Sequence, residues 1–283
     1  MKSEVEPAPQ TSKRHPTSLS ISVDSPQHDD TSWNELDVEI LDSFPVQDDF
    51  TYPNLNAACS TLLRGIMAGE IIGAEKTGIQ YRDLIEQHGG VTLVVQELLQ
   101  HVDENIKQLE DRKLTRQALD CVRTKQTEPW PKMVGYMDYI TDCRLHAYFR
   151  PYVGQSGHGF RRVMQNHVRA ILEAQNKSLH YFMMWIGNGA RTANFLRLWA
   201  FPDNTTQDEW YGAKSDILEL LFCIFFNALP ERCIAKKTFD RSPGGCWGLN
   251  VMTPLYQHKN VSEVEKSDFI RAKAESLDPQ IRL

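Results

Sequence analysis

Residues 152 to 157 read Tyr-Val-Gly-Gln-Ser-Gly and run straight into a helical pattern that opens with Phe160, Arg161 and Arg162 and continues to His167. Upstream, Tyr136 and Tyr139 lie in one aromatic, β-branched run. They are three positions apart, so on a regular strand they project to opposite faces, and both reach one site only across a bulge. His167 follows Arg162 by five residues, whereas a spacing of four aligns two side chains on one helix face, so either a bend or a shift to another residue is needed. Downstream, Glu219 is flanked by Ile217, Leu218, Leu220 and Leu221. A carboxylate in such a run must find a partner or an ion if it is buried, because an unpaired buried charge is costly.

Other candidate groups carry less. Cys223, Cys233, Cys246 and His258 are spaced by 10, 13 and 12 residues, which matches no compact zinc finger. Ser242-Pro243-Gly244-Gly245 lacks the strand and helix that frame a phosphate loop and reads as a turn. Trp185, Trp199, Trp210 and Trp247 could stack on bases, although aromatics beside strands are core residues by default.

The elements expected to position these groups follow from periodicity. Val91, Val94, Val95, Leu98, Leu99, Val102, Ile106 and Leu109 form one continuous stripe at the 3.6-residue period, which predicts a long helix. Gly89-Gly90 separates it from an earlier helix around Tyr81 to Gln87, and residues 51–128 are read as a helical module. Glu128-Pro129-Trp130-Pro131 marks a break. Beyond it, residues 133–141 and 147–154 read as a strand hairpin, 160–174 as a helix, 178–187 as a third strand, and 193–199 and 216–229 as helices. The expected class is α+β, with a small, mainly antiparallel three-stranded sheet flanked by helices over residues 129–260.

The 283 residues are 41% apolar and 24% charged, the composition of a soluble protein able to bury a core. Residues 1–50 hold 3 bases and 11 acids with few apolar side chains, which predicts a disordered acidic tail, and 261–283 form a C-terminal tail. Residues 130–260 hold 15 bases and 10 acids, a balance compatible with a polyanionic partner such as nucleic acid. The longest nearly apolar run, 217–229, covers 13 residues and includes Glu219 and Asn227, short of a membrane span, so no membrane partner is expected. No secretory or mitochondrial leader is visible, and the six dispersed cysteines read as free thiols, pointing to an intracellular and by preference nuclear protein.

The order of these parts resembles the GIY-YIG endonuclease domain: a Tyr-hydrophobic-Gly strand end, Gln-Ser-Gly, an Arg ten residues after the Tyr, a nearby His, and a later Glu on a buried helix. The phrases around it are similar to GIY-YIG-like proteins of filamentous fungi, over about residues 130–240. The resemblance implies a nuclease that hydrolyses phosphodiester bonds, in DNA by preference over RNA, with one Mg2+ or Mn2+ ion. Tyr152, Arg162 and His167 then stand as catalytic residues, Gly154, Ser156 and Arg161 as substrate-binding, and Glu219 as the metal ligand. For the first-motif tyrosine either Tyr136 or Tyr139 serves, and Tyr139 is preferred because the 12 residues between it and Tyr152 approach the family spacing. The family Asn after the metal Glu has no clear counterpart, since Asn227 lies eight residues on. The alternative is a GIY-YIG-like fold without efficient catalysis that serves as a nucleic-acid or protein interaction module. In either case residues 51–128 offer a surface for a second copy or a protein partner.

Overall fold

A computed structural model describes residues 19–22, 51–71, 79–174, 178–230, 233 and 248–256. Most of the expected acidic tail, the C-terminal tail, Cys246 and His258 therefore lie outside the described residues. Helices α1 (Leu55–Met67), α2 (Tyr81–Gln87), α3 (Gly90–Leu99) and α4 (Arg116–Lys125) precede the hairpin of β2 (Val134–Asp142) and β3 (Leu145–Ser156). A helical stretch over 159–172, here α5, leads to α6 (Leu179–Trp185), then β4 (Arg191–Ala200) and α7 (Glu209–Phe225). A four-residue strand, β1 (Leu19–Ser22), pairs with β4. All neighbours in the sheet are antiparallel, in the order β1-β4-β2-β3.

The long stripe from Val91 does not stay in one helix. α3 stops at Leu99, and Val102 bridges Trp199 while Asp103 donates its N–H to Leu198 O at 2.9 Å, so the backbone leaves the helix to pair with β4. A second short helix then starts at Asp103, whose side chain caps Asn105 N, and Val102, Ile106 and Leu109 keep their burial. At the start of α3, Gly89 and Gly90 have φ of 90° and 77°, and a Cβ on Gly89 would come within 2.4 Å of Leu93 Cδ1. The double glycine supplies a left-handed turn that other residues resist.

Two assignments are exchanged relative to the sequence expectation. Residues 178–187, read as a strand, form helix α6; residues 193–199, read as a helix, lie within strand β4. Ser178 caps α6 by accepting the Tyr181 N–H, and Leu179, His180, Met183 and Met184 form a buried helical face. β4 is interior to the sheet with layers packed on both faces, so its burial is nearly unbroken and the period-2 alternation is lost. Short apolar runs of this kind cannot be told apart by periodicity.

The sheet divides two hydrophobic cores. Met137, Tyr139, Phe149, Val153, Leu196 and Leu198 face the larger one, shared with α1–α4 and α7, and Tyr52 stacks on Phe225 across it at 4.9 Å. Tyr136, Ile140, Ala193 and Phe195 face the smaller one, closed by α5, α6 and Leu249. Asn250 holds the outer edge of β3: its Oδ1 accepts Val153 N–H at 2.8 Å and its Nδ2 donates to Val153 O at 2.7 Å, as a neighbouring strand would. Among the described residues no helix is long and apolar enough to cross a membrane.

The ring of Trp199 lies against Gly135, where an added Cβ would sit 2.1 Å from it. Both are buried inside the sheet, so the ring cannot simply swing away. Gly135→Ala is expected to cost about 1–3 kcal/mol in denaturant-induced unfolding, and a change under about 0.5 kcal/mol would show that the ring relaxes freely.

Candidate active site

Strand register selects the tyrosines. β2 and β3 place Asp138 opposite Tyr152 and Tyr136 opposite Gly154, so Tyr136, Asp138 and Tyr152 share the face of the smaller core. The Tyr136 phenol lies over Gly154, where a Cβ would come within 2.8 Å of the hydroxyl, and that contact accounts for the glycine two residues after Tyr152. Tyr139 projects to the other face. Its hydroxyl donates to Asp120 Oδ1 at 2.6 Å and accepts from Arg123 Nε at 3.0 Å, tying β2 to α4. The preference for Tyr139 as a site residue is therefore corrected: Tyr136 occupies that place, as strand alternation requires.

The helix that follows solves the spacing of Arg162 and His167. Arg162–His167 is a π-helical turn inside α5, with Val168 N bonded back to Val163 O. A π turn closes i to i+5, so residues five apart come onto one face, and such turns concentrate at functional sites. Arg162 and His167 both reach Tyr136: Arg162 is hydrogen-bonded to it, and His167 Nε2 lies 2.5 Å from its Oη. On its other side, His167 Nδ1 lies 3.0 Å from Tyr181 Oη.

Arg162 can only donate, so the Tyr136 oxygen accepts from it and keeps both a hydrogen and a second lone pair for His167 Nε2. Burial, with His180 and Arg162 nearby, pushes the His167 pKa well below its ordinary 6.5, so the ring is neutral and donates from one nitrogen while the other accepts. Burial first, and then Tyr152, pushes the Tyr136 hydroxyl well above its usual range. Burial and then the Glu219 carboxylate do the same for Tyr152, with Arg162 opposing. Burial works against the Arg162 charge, but Tyr136, Tyr152 and Tyr181 outweigh it and raise its pKa.

Glu219 lies on α7 with 2% exposure, close enough for its charge to act on both Tyr136 and Tyr152. α7 is anchored beside β3 by Gln155, which donates to Asp216 Oδ1 at 2.6 Å and accepts from Ser215 Oγ. The helix ends where Asn227 takes φ of 51°, so Asn227 terminates α7. Ser156 accepts the His158 N–H at 3.0 Å and so closes the turn between β3 and α5. Arg161 is exposed and lines a groove with Arg162, Gln165, Asn166, Arg169 and Tyr181.

The structure thus brings Tyr152, Gly154, Arg162, His167 and Glu219 to one region with Tyr136, the alternative to Tyr139, and adds Tyr181, His180 and Asp138, which sequence reasoning did not assign to the site. Two signals were present. Asp138 is two residues from Tyr136 and so shares its strand face, and Ser178 is a helix cap that, once recognised, puts His180 and Met184 on one face. For metal binding, no group of three His, Cys, Asp or Glu side chains converges among the described residues. Asp138 is engaged by His180 and by the Asn194 N–H, which leaves Glu219 as the carboxylate that could hold a metal. That donor set fits a hard cation such as Mg2+, held through one carboxylate with water and phosphate oxygens completing its shell, rather than a closed protein cage. Comparison with known proteins adds no relative: no family model, curated protein or solved structure matches the chain.

The neutral state of His167 has a measurable consequence. Its folded pKa is lowered, so unfolding takes up a proton whenever the pH falls below the unfolded value near 6.5. This stability is present in full above 6.5 and is lost as the pH falls from there toward the folded value. Unfolding free energies of wild type and His167→Gln measured from pH 7.5 down to pH 5 should converge. A constant difference would show that His167 titrates normally.

Proposed function

We propose that the chain is a metal-dependent endonuclease of GIY-YIG type acting on nucleic acid, with DNA the preferred substrate. The observation that carries this reading is the meeting of Tyr136, Tyr152, Arg162 and His167 on one face of the sheet through a π turn, with the Glu219 carboxylate of α7 close enough to act on both tyrosines. The groove along α5 brings Arg161, Arg162 and Arg169 to its surface, a lining suited to a phosphate backbone. Arg162 stands where the groove meets the buried tyrosines, and its guanidinium would bind the scissile phosphate and oppose its developing charge. With its proton on Nδ1, His167 can take a proton from Tyr136 Oη at Nε2 while passing the Nδ1 proton to Tyr181, a residue that lines the groove. Glu219 would hold one divalent cation, which when bound supplies positive charge at the leaving oxygen.

The test uses purified full-length chain on linear, branched and single-stranded DNA and on RNA, in Mg2+ or Mn2+. Glu219→Gln keeps the side chain's size but removes the charge, so cleavage should fall by a factor on the order of a hundred or more while nucleic-acid binding persists. Arg162→Ala should damage both cutting and binding. Tyr136→Phe should abolish most of the cutting and Tyr139→Phe should leave it unchanged. Binding without metal-dependent cutting by the wild type on every substrate would overturn the enzyme reading in favour of an interaction module. Affinity should also fall steeply as salt rises, because the arginines displace condensed counterions, and salt-independent binding would argue for a protein partner.

A further inference from the structure

Beneath Tyr152 lies a second buried pair that the nuclease chemistry above does not use. His180 and Asp138 have 2% and 0% exposure, and His180 Nε2 sits 2.5 Å from Asp138 Oδ2. The other carboxylate oxygen accepts the Asn194 N–H at 2.7 Å, so Asp138 is fixed to β4 as well as to its own strand. The His180 ring lies flat on the Tyr152 ring, with centroids 4.6 Å apart and planes 10° apart. His167 meets both rings edge-on, at 6.0 Å from Tyr152 and 5.4 Å from His180. Asp138 is also the direct cross-strand neighbour of Tyr152.

For stability alone this arrangement is a poor choice. Burying a carboxylate and an imidazole is costly, and replacing a buried polar pair by apolar groups of similar volume is often neutral or stabilising. A phenylalanine at 180 would stack on Tyr152 as well, but it would be free to slide. An imidazole held at Nε2 is not. The bond to Asp138 therefore fixes the plane on which the Tyr152 ring rests, and with it the place of a phenol oxygen that feels both Glu219 and Arg162.

We propose that Asp138 and His180 are a positioning pair for Tyr152, holding its ring in the orientation that the hydrolytic site requires. This rests on the endonuclease reading, and its test separates the two. The double variant Asp138→Leu/His180→Phe removes the buried polar pair together with the pin and keeps an aromatic surface under Tyr152. It also takes the carboxylate acceptor from the Asn194 N–H, so it should stay folded with a somewhat lower denaturant midpoint, yet cut with kcat lowered about a hundredfold and KM little changed, as expected when a reacting group is misplaced. His180→Gln, which can still bond Asp138 but cannot stack, should fall between the two. A folded double variant with kcat within about twofold of wild type would overturn the proposal while leaving the endonuclease standing.

Should the wild type cut no substrate, the enzyme reading fails separately, and the pinning is read directly. Full-length chain with 3-fluorotyrosine at 152 should give one sharp 19F signal in wild type and a broadened or divided one in the double variant, because an unpinned ring samples several positions. An unchanged signal would overturn the pair's positioning role.

Discussion

A phenol held at 1% exposure must place its hydroxyl against partners, and the arrangement around Tyr136 follows from that requirement. From below, Gly154 leaves room for the ring. From above, α5 must deliver hydrogen-bond partners to the same oxygen, and it does so with Arg162 and His167, five residues apart. A regular α-helix would turn one of them away. The π turn is thus the local distortion that satisfies the buried hydroxyl, and the hydroxyl in turn makes the distortion worth keeping.

The two cores have different characters for the same reason. The larger one, under α1–α4 and α7, is built from Leu, Ile and Phe, including the stacked pair Trp199 and Phe222 at 5.5 Å. Residues 55–125 share this core with α7, so the helices ahead of the hairpin help support Glu219. The smaller core carries Tyr136, His167, His180 and Asp138 among its apolar side chains. Polar rings are costlier to bury than phenylalanine, and each has to be hydrogen-bonded, so this face gives up stability that the opposite face supplies.

Much of the site was legible as order and spacing. Tyr152, Gly154, Arg162 and Glu219 each lie on an element whose type was read correctly: a hairpin strand, the helix after it, and a buried helix. The five-residue gap to His167 required a bend or another residue, and the structure supplies the bend as a π turn. What escaped has identifiable causes. Tyr139 was preferred on linear spacing, whereas strand alternation, which puts Tyr136 with Asp138 and Tyr152, was the stronger constraint. Reading 178–187 as a strand hid His180 and Tyr181, since a two-sided apolar segment carries no clear period and only Ser178 marked its helix. The break after Leu99 came from pairing of Val102 and Asp103 with β4, a tertiary contact that no local pattern contains.

Accessibility gives the site its direction. Tyr136, His167 and Glu219 are buried, while Arg162 and Tyr181 are half-exposed and line the groove of α5. On the proposed reading a nucleic-acid strand would meet the site along that groove, with a phosphate at Arg162 and its neighbouring charges near Arg161 and Arg169. Arg169 is held by Glu173 at 2.6 Å, an exposed pair whose attraction is weak in water and readily exchanged for a phosphate. Arg161 is the more exposed of the two adjacent guanidiniums, whereas Arg162 is hydrogen-bonded to Tyr136. On that reading the two neighbours take different parts: Arg161 would face the strand, and Arg162 would couple its phosphate to the buried tyrosines.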